Sequence, residues 1–177
     1  MTILVLGGTG AMGTDIVRLL DRDNNNVIVT SRKHRESASD RVHYIQGNAK
    51  DIDFLRQLLR ENYDVVIDFM VYTLDEFSDR YQMLLDHTVQ YIFISSARVY
   101  ADAGENEISE DFPRLLDVCE DEEYLATNEY ALVKARQENI LLKSGRCNWT
   151  IVRPSLTYSE DRLQLGVYEK ENWLYRA

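Results

Sequence analysis

Tyr130 and Lys134, in the stretch NEYALVKARQENILLKS, are the side chains of this sequence best suited to moving a proton. On a helix their i, i+4 spacing puts both on one face, within reach of a common ligand. No other Y-x-x-x-K occurs in the chain. A phenol titrates near 10, so it works as an acid or base at neutral pH only when a cation stabilises its anion. Lys134 supplies one cation, and a positively charged nicotinamide would supply a second. Ser96, in FISSARVYA, would hold the same substrate oxygen by a hydrogen bond while hydride passes between the nicotinamide carbon and the carbon bearing that oxygen. Taken alone, a helical Tyr and Lys are as well explained by packing and solvation. A second motif is needed to decide.

That motif stands at the start of the chain, where LGGTGAMG follows the apolar run Ile3 to Leu6. Gly7, Gly10 and Gly13 form G-x-x-G-x-x-G between a predicted strand and a predicted helix. The first glycine permits the tight turn, the second lets the backbone approach a pyrophosphate, and the third lets helix and sheet pack closely. The pyrophosphate would sit at the helix N-terminus, where unpaired N–H groups and the helix dipole favour an anion. At the end of the second predicted strand an NAD-binding chain presents an acid to the ribose hydroxyls. Here VIVTSRK places Ser31 and Arg32 instead. A guanidinium suits a 2′-phosphate, which favours NADP as cofactor and leaves NAD as the alternative. Lys33 or Arg35 could share the role, and an ordinary surface arginine is the plain alternative.

The elements that must position these residues follow from periodicity. Apolar runs at Ile3–Leu6, Val27–Thr30, Val42–Ile45, Val65–Phe69, Tyr91–Ile94 and Thr150–Val152 read as strands buried on both faces. Helical spacing joins Met12, Ile16, Leu19 and Leu20, then Ile52, Leu55, Leu58 and Leu59, then Val133, Ile140 and Leu141. The alternation predicts an α/β fold, a Rossmann-type doubly wound parallel sheet with helices on both faces. Its ligand crevice lies at the carboxyl ends of the strands, where Ser96 is expected. Residues 102–129 are rich in Asp and Glu with Arg114 the sole basic residue, and read as a long loop or lid, in the main a solvated acidic face.

At 177 residues the chain suits one core rather than two ordinary domains. No apolar run approaches the roughly 20 residues that span a bilayer, and no basic segment with an apolar stretch precedes the first strand. Neither a membrane partner nor a secretory leader is expected, and the cytoplasm is the default location. Cys119 and Cys147 have no metal-ligand spacing around them and read as plain thiols, so no metal is expected. A net charge of −10 would repel a phosphate backbone, and no basic patch offsets it, so no nucleic-acid partner is expected.

Together GGTGAMG, SSARVY and YALVK resemble the extended short-chain dehydrogenase/reductase group, the NAD-dependent epimerase/dehydratase family, from Thr2 to about Tyr158. The resemblance implies Gly7, Gly10 and Gly13 at the pyrophosphate, with Thr9, Ala11 and Met12 lining that turn. It implies Ser31 and Arg32 at the adenosine ribose and Asn48 near the adenine, where the family has Asp. Phe69 and Met70 fall beside the cofactor, in place of the small residues usual there. Pro154 takes the family's position beside the nicotinamide, and Ser96, Tyr130 and Lys134 match its catalytic triad. Residues 1–158 are expected as the NAD(P)-binding domain and 159–177 as the start of an incomplete C-terminal substrate region, so the chain reads as a truncated one. The segment from Thr73 to Gln90 is shorter than the family's helix, which looks like an atypical branch. The function implied is an NADP-dependent oxidoreductase, epimerase or dehydratase acting on a hydroxyl or carbonyl carbon of a sugar or nucleotide sugar, with pairing into a homodimer. The alternatives are a dinucleotide-binding regulator or scaffold without turnover and, disfavoured by charge, an RNA-binding relative.

Overall fold

Alternation within the first strand already separates two layers. Leu4 and Leu6 join one buried cluster while Ile3 and Val5 join another, on opposite faces of the sheet. The computed structural model describes residues 1–104, 107–155 and 157. Six strands, β1 Thr2–Leu6, β2 Asn26–Ser31, β3 Val42–Gln46, β4 Tyr63–Asp68, β5 Thr88–Ile94 and β6 Trp149–Val152, form one parallel sheet in the order β3-β2-β1-β4-β5-β6. Leu4 lies between Ile28 of β2 and Val66 of β4, so β1 is the sheet's centre and the order reverses beside it. That reversal opens a crevice at the carboxyl ends of β1 and β4.

Helix α1 (Ala11–Arg22) lays Ile16, Val17 and Leu20 on one face. On the other face lie α2 (Ile52–Leu58), α3 (Leu74–Ser78), α4 (Tyr81–Asp86) and α7 (Tyr130–Leu142), which deliver Leu55, Phe77, Leu84 and Leu141 to the larger cluster. The doubly wound arrangement with helices on both faces is therefore the observed one. The helix starts are chemically marked: Asp51 accepts from the amides of Asp53 and Phe54, and Thr73 forms a reciprocal capping box with Glu76. β2 and β3 pair in parallel although no helix joins them.

Two segments differ from the sequence reading. Phe69 lies beyond β4, because the strand's ladder ends where the Asp68 side chain takes the Met70 amide. Residues 102–129 are more than a loop: they hold α5 (Leu115–Val118) and α6 (Glu122–Leu125), and Arg114 bridges to Tyr100. Asp121 caps α6, and Arg114 fastens the segment to α7 through the Ala135 carbonyl, Glu138 and Asn139. Helix α7 is thus covered on two sides and buries Ala131, Lys134, Ala135, Glu138 and Leu141 together. The expected region 159–177 lies outside the described residues, as does Tyr158 at the boundary.

Candidate active site

The glycine turn is built by steric demand at three positions of unequal kind. Gly7 takes φ +70, a left-handed conformation that L side chains avoid, and its amide donates to the Thr30 hydroxyl at 2.9 Å. A Cβ on Gly13 would sit 2.6 Å from the Gly8 Cα, so this glycine is where α1 touches the turn. A Cβ on Gly10 would meet nothing nearer than the Gly7 carbonyl at 3.7 Å. No protein atom requires glycine there, and the open space faces the crevice. Gly10 is also the N-cap of α1, with no side chain capping the helix and no acid in its first turn. The first amides of that helix have no partner within it, which suits an anion.

From this turn a groove of about 480 Å³ runs over the ends of β2 and β3, lined by Gly7, Thr9, Gly10, Ser31, Arg32, Asn48, Phe69 and Met70. These are the residues expected at the pyrophosphate and adenosine. Thr30, Gly47, Lys50 and Val71 line it as well and were not singled out from the sequence. Arg32 makes no ion pair among the described residues, whereas Lys50 is held by Glu76 at 3.0 Å. Ala11 and Gly13 lie behind the groove, buried in the packing of α1. Met12 faces the other end of the crevice rather than the turn.

That other end is a cleft of about 170 Å³ lined by Met12, Phe69, Met70, Ser96, Tyr130, Lys134 and Pro154, with Val71, Ile94 and Ser95 beside them. Phe69, Met70 and Val71 line both spaces, so the two adjoin along this segment. The sulfur of Met70 would lie 2.9 Å from a Cβ on Gly7, so its side chain rests on the glycine turn. An apolar cavity of about 490 Å³ adjoins the cleft, between α1 and the β4 to β6 face, lined by Ile16, Ile67, Ile92, Ile94 and Val152 among others.

Ser96 follows β5 and caps the 3-10 turn Ala97–Val99, accepting from the Arg98 amide at 3.2 Å. Its hydroxyl proton is left for another acceptor, and it lines the same cleft as the Tyr130 phenol. Tyr130 opens α7, 37% exposed. Burial pushes its phenol above the usual value, while the Ser96 hydrogen bond and the Arg98 charge pull it down. The Arg98 guanidinium stands 5.6 Å from the Tyr130 ring centroid and is held there by Glu129 at 2.8 Å.

Lys134, one turn on, is 2% exposed. Its Nζ donates to the Ile94 carbonyl at 2.8 Å and lies 4.6 Å from the Phe93 ring centroid. Burial lowers its ammonium to about 8, against the pull of Asp68 and Glu138. Glu138, a further turn along α7, is fully buried and pairs with Arg114 at 3.2 Å and Arg153 at 2.9 Å. It also accepts from the Ser95 hydroxyl at 2.6 Å, tying the segment beside Ser96 to α7. Sequence reasoning missed Asp68, Ser95, Arg98 and Glu138. Only Glu138 gave a signal, since it repeats the i, i+4 step from Lys134.

Among the described residues no group of His, Cys, Asp and Glu could hold a metal ion, and no helix is long and apolar enough to cross a membrane. A family described as NAD(P)H-binding matches residues 7–173. The chain is 28% identical over 162 residues to a UDP-glucose 4-epimerase of Lactobacillus helveticus, covering 80% of this chain and 46% of that protein. It is 27% identical over 189 residues to the chloroplast stem-loop binding protein of 41 kDa b of Arabidopsis thaliana, covering 98% of this chain and 45% of that one. This chain therefore spans about half the length of these curated relatives. Its fold is similar to that of the dTDP-glucose 4,6-dehydratase of Bacillus anthracis solved with NAD, at a TM-score of 0.68 and 18% identity over 90% of this chain and 56% of that one. A UDP-galactose 4-epimerase structure gives a TM-score of 0.65 at 21% identity, covering 86% of this chain and 55% of the other.

Proposed function

This chain belongs to the NAD(P)H-binding family, and we propose that within it the chain is of the epimerase/dehydratase kind, an NADP-dependent oxidoreductase, epimerase or dehydratase acting on a hydroxyl or carbonyl carbon of a sugar or nucleotide sugar. One observation carries this reading: the groove at the glycine turn and the cleft of Ser96, Tyr130 and Lys134 adjoin along Phe69, Met70 and Val71. A dinucleotide is the ligand that needs an anion cradle at one end and a proton-transferring group at the other. Residues 1–158 are the cofactor-binding unit in this reading, in a cytoplasmic protein that pairs as a homodimer.

The residues fit such a cofactor. Gly7, Thr9 and Gly10 with the α1 amides would hold the pyrophosphate, Asn48 the adenine, and Ser31 and Arg32 the ribose and its 2′-phosphate. Phe69, Met70, Met12 and Pro154 would flank the nicotinamide half. The cofactor supplies hydride transfer. Ser96 holds the substrate oxygen and Tyr130 exchanges a proton with it. In this reading the Lys134 ammonium, one helical turn on, is the cation offered to the phenolate, and Arg98 pulls the phenol down from its outer side.

Tyr130→Phe tests the reading. Turnover should fall about 100-fold or more, the scale of a lost acid–base group, with dinucleotide affinity little changed. Undiminished turnover would remove Tyr130 from the chemistry. Arg32→Ala should weaken NADP and leave NAD as it was; a wild type that binds both equally ends the preference for NADP. A second reading, a dinucleotide-binding regulator without turnover, draws on Met70, whose side chain crowds the turn where the family has small residues. It predicts binding with no turnover on any nucleotide sugar and no effect of Tyr130→Phe. Nucleic-acid binding, which the name of the Arabidopsis relative carries, opposes a net charge of −10 and would have to appear as salt-dependent RNA binding.

A further inference from the structure

A buried acid that the chemistry above leaves unused stands directly beneath the cleft. Asp68 ends β4, is 1% exposed, and faces the same layer as Tyr91, Phe93 and Phe77. Three donors converge on it: the Met70 amide at 2.9 Å and the Tyr72 hydroxyl at 3.4 Å on Oδ1, and the Tyr91 hydroxyl at 2.9 Å on Oδ2. All three are neutral, and Asp68 makes no ion pair among the described residues. An ionised carboxylate buried so deeply needs a cation nearby, or it will hold its proton.

We propose that Asp68 is a positioning residue for the Lys134–Tyr130 pair: its buried carboxylate is the counter-charge that keeps the Lys134 ammonium protonated under the cleft. Asp68 pairs in register with Phe93, whose ring lies 4.6 Å from Lys134 Nζ, and Ile94, the next residue of β5, accepts the Nζ proton. Phe93 is therefore the common neighbour of the two, of Asp68 through the strand register and of Lys134 through its ring.

The surroundings leave Asp68 as the acid available for this role. Glu138, on the same helix as Lys134, is already balanced by the Arg114 and Arg153 guanidiniums and the Ser95 hydroxyl. From β5 Lys134 meets the Ile94 carbonyl and the Phe93 ring, neither of which carries charge. The remaining buried cation, Arg80, lies on the far side of Tyr72, 4.4 Å above its ring, with Nη2 donating to the Lys50 carbonyl and Nε and Nη1 unpartnered among the described residues. Among the described residues it makes no ion pair with Asp68. Burial pushes the Asp68 carboxyl up, and the three donors together with Lys134 pull it back. The same burial lowers Lys134, which Asp68 and Glu138 hold at about 8. A lysine placed there without Asp68 would lose its proton below that value, and with it the charge that Tyr130 requires.

The inference rests on Tyr130 and Lys134 being the proton-transferring pair, and its test does not depend on turnover. In protein labelled at lysine Cε, the Lys134 signal is assigned by its loss in Lys134→Met and followed by NMR through the neutral and alkaline range. The wild-type midpoint is expected at about 8, and Asp68→Asn should lower it by about one pH unit or more. An unchanged midpoint overturns the proposal, even if Asp68→Asn changes stability. Should Asp68→Asn fail to fold, coupling is reciprocal and can be read from the other side: in Lys134→Met the Asp68 carboxyl carbon should titrate at higher pH than in the wild type. A carboxyl that does not move overturns the proposal equally. Midpoints that move as expected while Tyr130→Phe leaves turnover intact would keep the ion pair and remove only the catalytic reading.

Discussion

The two ends of the crevice are made of different material. The glycine end is backbone: a left-handed Gly7, an uncapped helix start and open space at Gly10. The tyrosine end is side chain: Ser96, Tyr130 and Lys134 above a layer of buried charge that includes Asp68, Glu138, Arg114 and Arg153. A site made of amides is specified by what must be absent, namely a Cβ. A site made of side chains needs partners from β4, β5, α7 and the 102–129 segment at once. The first should therefore break sterically and locally, and the second electrostatically and at a distance.

The sharpest test of that contrast is Glu138→Ala. It leaves two largely buried guanidiniums without their carboxylate, and removing one member of a buried ionic cluster costs about 3–5 kcal/mol. The urea midpoint should fall accordingly, and protease cleavage within 102–129 should rise, because Arg114 loses a main anchor to α7. A stable variant with an unaltered cleavage pattern would mean the cluster does not hold the segment. Next in size is Gly13→Ala. Its Cβ would press on the Gly8 backbone at 2.6 Å, and overpacking of this kind costs about 1–3 kcal/mol, at the upper end when backbone must move.

Gly10→Ala should separate stability from binding. The nearest protein atom to its Cβ is 3.7 Å away and φ is −76, so folding should change by no more than about 0.5 kcal/mol. Dinucleotide affinity should nonetheless fall about tenfold or more, because the new methyl occupies the approach of the phosphate. Thermal unfolding and a binding isotherm on the same preparation read both. Unchanged affinity would mean that the glycine turn holds no phosphate.

What the sequence revealed follows the same division. The strands, the turn and the helical spacing of Tyr130 and Lys134 are encoded in short-range pattern, so Gly7, Gly10, Tyr130 and Lys134 could be picked out without coordinates. Gly8 was legible as a glycine but not as the contact of Gly13, which depends on the path of α1 across the turn. Arg114 read as the lone base in an acidic loop, yet it is the pin that brings that loop onto α7 across more than twenty residues. Asp68 lay unremarked within the run Val65–Phe69. Its meaning lies in Tyr72, Tyr91 and Lys134, which no local pattern connects to it.

The smallest effect is expected where charge meets solvent. Arg98 carries positive charge to the outer side of Tyr130 as Asp68 carries negative charge to the inner side of Lys134, but Arg98 is 67% exposed and shares its charge with Glu129. Exposed pairs contribute about 0–1 kcal/mol and are screened by salt, so Arg98→Gln should barely alter the unfolding midpoint. It should still move the phenol. Arg98 lowers the pKa of the Tyr130 phenol, so its loss should raise a value that burial has already raised. The ultraviolet difference titration of wild type against Tyr130→Phe, repeated in the Arg98→Gln background, reads this one phenol. The two curves should converge as salt is added, because added ions screen the contribution of an exposed guanidinium. Curves that coincide even at low salt would show that Glu129 cancels Arg98, leaving Lys134 as the sole cation of the tyrosine end and making the buried layer answerable for all of its charge.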